Sequence, residues 1–221
     1  MAIVEFPALK WANEDGLLAV GGDLEVESLL LAYRSGIFPW PIFDSNLITW
    51  FSPKKRAVLF LKDFHISRSL RAVRRRSSCS FAIDKDFAQV INECAKLDNR
   101  DKELGTWITP SIIEAYIALH SAGYAHSIEC YEGEVLLVGG LYGVSIGSMF
   151  AGESMFFRRS GASKLSFCFL VDYLLEKGVE WIDCQQMTPL LKSFGAVEID
   201  RDVFVDLLND AVNRQMELFS K

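Results

Sequence analysis

The sequence predicts an α+β fold, in which antiparallel strands are followed by a long helix and a further strand. Three segments between turn residues, HSIECY, VLLVGGLYGV and SIGSMFAGES, indicate consecutive antiparallel strands. The apolar segment 162–177 ends before Gly178 and predicts a helix that leads into the strand VEWIDCQ. Because the first part is rich in turns and aromatics, we expect a small α/β domain over residues 1–60 and a larger domain over 61–221.

The remaining helices are predicted from capping and stop signals. After GLLAVGGDL, Asp23 or a neighbour caps a helix, and Gly36 and the prolines beyond it prevent its continuation. Thr109 and Pro110 stand in the favoured order for an N-cap and a first helical residue. Such signals predict helices over residues 25–34, 67–75, from about 85, 109–120 and 202–219.

The uncharged run from Val135 to Gly152 raises the question of a membrane span. Glycines and serines interrupt it repeatedly, which is typical of buried strands and turns rather than of a spanning helix. The amino terminus has no basic region followed by a long apolar core, which argues against a secretory signal. We therefore expect no membrane segment and a cytoplasmic location.

Cysteine and histidine usage argues against a metal site or a disulfide framework. The five cysteines are scattered, odd in number and without C-x-x-C spacing, which is typical of reduced thiols in a cytosolic protein. The three histidines, at positions 65, 120 and 126, are not expected to join cysteines or carboxylates in a ligand cluster. The sequence therefore predicts no bound metal.

Glu153 is a lone carboxylate directly after the uncharged run, in the segment GESMF. An acidic group beside apolar and glycine-rich chain is costly to bury unless a ligand or a cation compensates for it. Glu153 is therefore the first candidate for a binding site. The alternative is a glutamate at a strand end that pairs with Arg158 or Arg159.

Asp183 and Gln185 lie two residues apart in the strand WIDCQ, so their side chains are expected on the same strand face. An aspartate can accept a hydrogen bond from the amide NH₂ of a glutamine, which would aim the amide oxygen outward as an acceptor for an N–H group. This arrangement suits the positioning of an amine nucleophile. The alternative is a polar strand end tied into the sheet.

Positive charge is concentrated in one segment of a chain whose net charge is −6. Residues 54–76 hold nine basic side chains and one acidic one, a local charge of +8. Helical spacing would place Arg68, Arg71 and Arg75 on one stripe, where they can meet successive phosphates. The alternative is a solvated helix face.

Two further segments suggest ligand contacts. RRSGASK, residues 158–164, is a glycine-bearing loop that enters a helix, where exposed backbone amides favour an anion, and it resembles the acyl-CoA-binding loop of acetyltransferases. In GTW, residues 105–107, the indole of Trp107 is placed to line a pocket or to stack on a purine. Trp40, Phe43 and Trp50 belong to an aromatic segment that packs the small domain or lines a cleft.

Ten motifs together resemble the leucyl/phenylalanyl-tRNA–protein transferase family of bacteria. They occur in the family's order over nearly the whole chain: GLLAVGGDL (16–24), AYRSGIFPW (32–40), SP…RAVL (52–59), HISRSL (65–70), GTWI (105–108), AHSIE (125–129), GGLYG (139–143), GESMF (152–156), ASK (162–164) and IDCQ (182–185). One such motif is weak evidence, whereas ten in sequence are specific.

The resemblance implies an enzyme that moves Leu or Phe, and less well Met, from its tRNA to the amino-terminal Arg or Lys of an acceptor protein. The product is then marked for degradation by the N-end rule route. The implied fold is a small N-terminal domain plus a larger acetyltransferase-like (GNAT-like) C-terminal domain. Because an aminoacyl ester is already activated, the resemblance implies no cofactor.

The resemblance also implies roles for particular residues. Asp183 and Gln185 would be the catalytic pair, and Glu153 would contact the aminoacyl-adenosine end. An apolar pocket would hold the transferred side chain, and its walls would be Leu141, Phe150, Met155 and Ile182. Trp107, and with it Trp50, would contact the terminal adenosine. The tRNA acceptor stem would be held through its phosphates by Arg68, Arg71, Arg74, Arg75 and Arg76.

Two other functions are compatible with the same residues. The first is an acyl-CoA-dependent N-acyltransferase that uses RRSGASK as its pyrophosphate loop. The second is a tRNA-binding module without catalysis, in which Asp183 and Gln185 are structural.

Overall fold

The computed structural model describes residues 2–40, 47–96, 107–133 and 135–219. Within them, a small sheet comes first along the chain. Its strands are β1 (Leu17–Val20), β2 (Phe38–Pro39) and β3 (Thr49–Phe51), arranged in the order β1-β3-β2. Helix α1 (Val26–Arg34) connects β1 to β2, and the helix predicted over residues 25–34 is confirmed.

A second, larger sheet carries the rest of the described chain. Its strands are β4 (Lys55–Phe60), β5 (Ser80–Ile83), β6 (Ala125–Glu132), β7 (Leu136–Ile146), β8 (Met149–Phe157), β9 (Trp181–Gln185) and β10 (Val197–Asp200). Their order is β10-β4-β9-β8-β7-β6-β5. The neighbours β8 and β9 run parallel, and the other described pairs in this sheet are antiparallel. The α+β class is confirmed, with a small amino-terminal part and a larger carboxy-terminal part.

Six further helices accompany the larger sheet in the described residues. They are α2 (Arg68–Arg76), α3 (Phe87–Ala95), α4 (Pro110–Ser121), α5 (Ala162–Glu176), α6 (Pro189–Ser193) and α7 (Arg201–Val212). Ser67 and Thr109 cap α2 and α4 through their side-chain oxygens, and Pro110 begins α4 as predicted. The proposed domain boundary at residue 60 stays a prediction. Strand β4, which ends at that residue, belongs to the larger sheet.

The central strands are apolar because both faces of the sheet are covered. Neighbouring side chains on β7 enter different cores: Tyr142 joins the cluster that contains residues of α3, α4 and α7, whereas Leu141 joins the cluster that contains α5. Gly139 shows how closely α5 approaches, since a Cβ there would lie 2.6 Å from the Cβ of Ala162. The uncharged run is thus two buried strands and their turn, as predicted, and no helix among the described residues has the length and apolarity to cross a membrane.

Two predicted element bounds are wrong. The strand expected to begin at Ser145 begins at Met149, because β7 continues to Ile146 and the chain turns at Gly147, which has a φ of +59°. The last helix ends at Val212 rather than near Phe219. Beyond it the chain returns to the body of the protein, where the backbone oxygen of Leu218 accepts a hydrogen bond of 2.6 Å from Tyr173.

Ser145 stands in the string GVSIG, which has the spacing G-x-S-x-G of a nucleophile elbow. That motif requires a sharp turn between a strand and a helix. Here the serine lies inside β7, paired with Phe150 of β8, and it is buried. The local geometry therefore gives it no role as an exposed nucleophile.

The prediction that the histidines form no cluster with carboxylates is wrong. Asp84, His120 and His126 each offer a ligand atom, and these atoms lie within 4.8 Å of one another. The turn after β5, the end of α4 and the start of β6 are distant in sequence, and the fold gathers them at one edge of the larger sheet.

Candidate active site

A cavity of about 380 Å³ lies at the point where β8 and β9 run parallel. Its walls are mainly apolar, and polar groups from Glu153 and Gln185 reach it together. The lining residues are Trp40, Trp107, Leu141, Tyr142, Gly152, Glu153, Ser154, Met155, Phe167, Leu170, Ile182, Cys184, Gln185, Gln186, Thr188, Leu190 and Leu191. An apolar cavity with a few convergent polar groups is the usual form of a small-molecule site.

Glu153 is held by hydroxyl and amide donors. Its Oε1 accepts hydrogen bonds of 2.7 Å from the Tyr33 hydroxyl and of 2.7 Å from Nε2 of Gln185. The Tyr116 hydroxyl lies 3.5 Å from Oε2, and the two tyrosine hydroxyls bond to each other. Three distant segments thus position one carboxylate.

The alternative interpretation of Glu153, a strand-end glutamate paired with a neighbouring arginine, is wrong. Arg158 instead binds Glu93, with Nη2 2.6 Å from Oε1, and Arg159 binds Glu132 at 3.2 Å. Both arginines follow the end of β8 at Phe157, and their carboxylate partners belong to α3 and β6.

Burial raises the pKa of Glu153 to about 7. The hydrogen bond from Tyr33 opposes this rise, the negative charge of Asp183 adds to it, and Gln185 and Arg56 oppose it further. Burial also raises the pKa of both Tyr33 and Tyr116 well above the ordinary value, so both remain neutral hydroxyls near pH 7. Glu153 can therefore exchange a proton at neutral pH, whereas its tyrosine partners donate hydrogen bonds.

Asp183 does not bind the side-chain amide of Gln185, contrary to the sequence prediction. Both of its oxygens are taken by Arg56: Nε lies 2.8 Å from Oδ1 and Nη2 lies 2.7 Å from Oδ2. The guanidinium is itself enclosed, with the rings of Phe38 and Phe204 4.7 and 4.5 Å from it. The amide therefore donates to Glu153, and Asp183 takes no part in the lining of the cavity.

Gln185 is held through its backbone. Its φ is +58°, in the left-handed region that residues other than glycine rarely adopt, and its N–H donates to Oδ1 of Asp183 at 2.9 Å. This turn ends the regular alternation of β9, so the two side chains do not reach the cavity together as predicted. Asp183 fixes the backbone from which the Gln185 side chain enters the site.

The predicted side-chain pocket is only partly reproduced by the cavity. Leu141, Met155 and Ile182 line it. Phe150 is fully buried behind this wall and packs against Phe219, with 5.7 Å between the ring centroids. The structure therefore brings three of the four residues to the cavity surface.

The two predicted tryptophans lie in different places. Trp107 lines the cavity and stacks on Trp40, with centroids 5.8 Å apart and an interplanar angle of 23°. Trp50 is a core residue that donates from Nε1 to the backbone oxygen of Gly21 at 2.9 Å. It does not line the cavity, because β3 turns its ring toward Phe6. The first two residues of GTW and Phe43 lie outside the described residues.

The basic helix α2 presents its arginines to solvent. Five side chains are exposed along it: Arg68, Arg71, Arg74, Arg75 and Arg76. Arg74 forms an ion pair with Asp172 of α5. Beside α2, a groove of about 240 Å³ is lined by Ser67, Gly161 and Lys164, among others, so the RRSGASK loop adjoins this surface. Arg56, which belongs to the same basic segment in sequence, is interior instead.

Sequence reasoning assigned no site role to Tyr33, Tyr116 or Arg56. Tyr33 and Arg56 do stand inside two motifs of the family, AYRSGIFPW and SP…RAVL. The motifs could have drawn attention to these two residues, but they did not indicate what the side chains do. Tyr116 lies in the apolar helix α4 and resembles an ordinary core residue. Only the folded chain shows that all three side chains support Glu153 or Asp183.

Comparisons with known proteins show to which family the chain is related. The family model described as leucyl/phenylalanyl-tRNA protein transferase matches residues 58–209, and the model of its N-terminal domain matches residues 22–54. A leucyl/phenylalanyl-tRNA--protein transferase of Syntrophobacter fumaroxidans is 50% identical over 94% of this chain and 87% of its own length. The corresponding protein of Maridesulfovibrio salexigens is 46% identical over 94% and 85%.

Among solved structures, FemX aligns with a TM-score of 0.49 and 11% identity, over 83% of this chain and 71% of its own. At that score the acetyltransferase-like part of the fold prediction stays a prediction. The sequence relatives and the family models match over most of the chain. The chain therefore belongs to the leucyl/phenylalanyl-tRNA protein transferase family.

Proposed function

We propose that this protein moves Leu or Phe, and less well Met, from aminoacyl-tRNA to the amino-terminal Arg or Lys of an acceptor protein. The observation that carries the proposal is the apolar cavity of about 380 Å³ with Glu153 and Gln185 at its wall. The named activity of its close relatives supports it. The product would be marked for degradation by the N-end rule route, in the cytoplasm.

The cavity accounts for the choice of side chain. Leu141, Met155 and Ile182 offer an apolar surface to an unbranched-at-Cβ side chain such as Leu, Phe or Met. A misplaced methyl group costs about 1–3 kcal/mol, so discrimination against Val and Ile rests on shape and is moderate. The stacked pair of Trp107 and Trp40 in the cavity lining provides a flat surface for the terminal adenine.

The reaction requires one proton to move and one bond to be exchanged. The acceptor's α-amine attacks the ester carbonyl, the new C–N bond forms, and the ester C–O bond breaks. The amine loses a proton, and the ribose oxygen that leaves gains one. Glu153 is placed to accept the first proton, since its pKa of about 7 leaves much of it ionised at neutral pH. It can then return that proton to the leaving oxygen.

Gln185 and Asp183 serve this step in different ways. The amide Nε2 of Gln185 is bound to Glu153, which leaves the amide oxygen as an acceptor that can orient the incoming amine. Asp183 acts through Gln185, because its carboxylate is bound by Arg56 and by the Gln185 backbone. We therefore propose Gln185 and Glu153 as groups that touch the substrate and Asp183 as a positioning residue. An activated ester needs no cofactor in this scheme.

The exposed arginines of α2 are proposed to hold the tRNA through its phosphates. Replacing Arg74, Arg75 and Arg76 together by Ala is expected to raise the KM for aminoacyl-tRNA and leave kcat nearly unchanged. Each lost phosphate contact reduces the slope of log affinity against log salt by roughly 1, so the slope should become shallower by about 2 to 3. Binding measured over a salt series checks this, and an unchanged slope would mean that these side chains only face solvent.

The function itself is tested by supplying two acyl donors in parallel. Radiolabelled leucyl-tRNA and acetyl-CoA are each incubated with the protein and a peptide that begins with Arg. The proposal expects label in the peptide from leucyl-tRNA only, and none when the peptide's amino terminus is acetylated. Transfer from the CoA thioester alone would favour the acyl-CoA-dependent alternative, and tRNA binding without any transfer would favour a binding module.

A further inference from the structure

The cluster of Asp84, His120 and His126 lies in a place that the proposed transfer reaction does not use. It borders a separate cavity of about 480 Å³, whose other walls are Ile83, Ser121, Tyr173 and Phe219. The side chains of His120 and Asp84 are 29% and 23% exposed toward this cavity, and that of His126 is 6% exposed. Two imidazoles and a carboxylate are a ligand set that suits divalent transition metals.

Each of the three groups is fixed by a hydrogen bond to the backbone. His120 places Nδ1 2.7 Å from the oxygen of Ala125, and His126 places Nε2 3.2 Å from the oxygen of Gly123. Oδ1 of Asp84 accepts the backbone N–H of Ser127 at 2.8 Å. Because carbonyl oxygens only accept, both imidazoles donate at these atoms, and each ring has its second nitrogen left for another partner. Such bonds are those that orient histidine and carboxylate ligands around metals.

Asp84, His120 and His126 each offer one ligand atom, and these atoms lie within 4.8 Å of one another. Nδ1 of His126 lies 2.6 Å from Oδ2 of Asp84, so a single proton is shared along this contact. Stacked rings hold the imidazoles: Phe87 lies 4.4 Å from His120 and Phe219 lies 4.2 Å from His126, between ring centroids. Ligand atoms around tetrahedral zinc lie roughly 3.4 Å apart. Small side-chain rotations must therefore lengthen the contact between His126 and Asp84 and shorten the longer distances within the cluster.

We propose that Asp84, His120 and His126 bind a divalent transition metal ion such as Zn²⁺, which takes the place of the proton between His126 and Asp84. The bond from Nδ1 of His126 to hydrogen breaks, the bond from Nδ1 to the metal forms, and the proton leaves to solvent. Three protein ligands leave a fourth position open to the adjoining cavity. The bound metal ties the turn after β5 to α4 and β6.

The proposal is tested by calorimetric titration of chelator-treated protein with ZnCl₂ at pH 7, in two buffers of different ionisation enthalpy. The expected result is one Zn²⁺ per chain, with the same stoichiometry in both buffers. His120→Gln changes the most exposed ligand. It should weaken Zn²⁺ binding by at least roughly 10- to 100-fold, which is the loss of affinity caused by replacing a residue that only supports a metal ligand. Asp84→Asn provides a second variant, and circular dichroism checks that both remain folded.

Two matched variants serve as controls. His65→Gln removes the remaining histidine, and Cys79→Ser removes a partly exposed thiol, and both should bind Zn²⁺ as the unaltered chain does. Absence of Zn²⁺ uptake would overturn the proposal. So would uptake that persists unchanged in both His120→Gln and Asp84→Asn.

Discussion

Replacing Glu153 by glutamine is expected to lower kcat for transfer from leucyl-tRNA by roughly 100-fold or more, the usual contribution of a positioned general base. Glutamine keeps the shape and an Oε1 that accepts from Tyr33 and Gln185, so the cavity should persist. The variant loses only the group that takes the proton. Single-turnover rates with charged tRNA and an Arg-starting peptide measure the effect.

The pH dependence gives this prediction a direction. Glu153 must be ionised to accept a proton, and its pKa is about 7, so the rate of the unaltered enzyme should rise as pH increases through 7. The residual rate of Glu153→Gln should lack the part of the rise that is centred near pH 7, and should keep only the rise caused by deprotonation of the acceptor amine, whose ordinary pKa is about 7.7–8.0. Glu129→Gln is the matched control, because burial also raises the pKa of the Glu129 carboxyl, which lies outside the cavity lining. Equal loss of rate in both variants would contradict the assignment.

Breaking the ion pair of Arg56 and Asp183 is expected to have the largest effect on stability. Both side chains are almost fully enclosed, at 2% and 3% exposure. Arg56→Met or Asp183→Leu alone leaves an unpaired buried charge and should reduce the free energy of unfolding by about 3–5 kcal/mol. The double variant removes both charges and should recover most of that loss. Denaturant titration of the three variants measures the coupling.

Transfer should not recover with stability in the double variant. Without Asp183 the backbone N–H of Gln185 has lost its acceptor, so the amide is no longer held at the site, and kcat should stay low while the KM for tRNA is unchanged. The exposed pair of Lys55 and Asp200 is the control, since Lys55→Met should change stability by less than about 1 kcal/mol. If the double variant regains full kcat, the pair is structural only.

The sequence predicted those parts of the site that depend on local pattern. Glu153 stood out because an isolated carboxylate beside a long uncharged run needs compensation, and it does lie at the cavity. The helix starts at Ser67 and Thr109 follow from capping chemistry that involves only neighbouring residues. The family resemblance predicted that Trp107 and Leu141 contact the substrate, and both residues line the cavity.

The remaining features depend on contacts between distant segments, which periodicity does not record. Tyr33 reaches Glu153 across 120 residues of chain, and Arg56 reaches Asp183 across 127. The left-handed backbone of Gln185 could not be anticipated, because strand alternation predicts a shared face with Asp183. Charge counting likewise included Arg56 in the basic segment 54–76 and could not show that pairing with Asp183 allows its guanidinium to be buried.

A crystal structure with a non-hydrolysable phenylalanyl-adenosine amide tests the central claim most directly. The account predicts the phenyl ring between Leu141, Met155 and Ile182, the adenine against Trp107, and the carbonyl carbon beside the Gln185 amide, within reach of Glu153. A ligand bound elsewhere, for example in the groove between α2 and the RRSGASK loop, would contradict it.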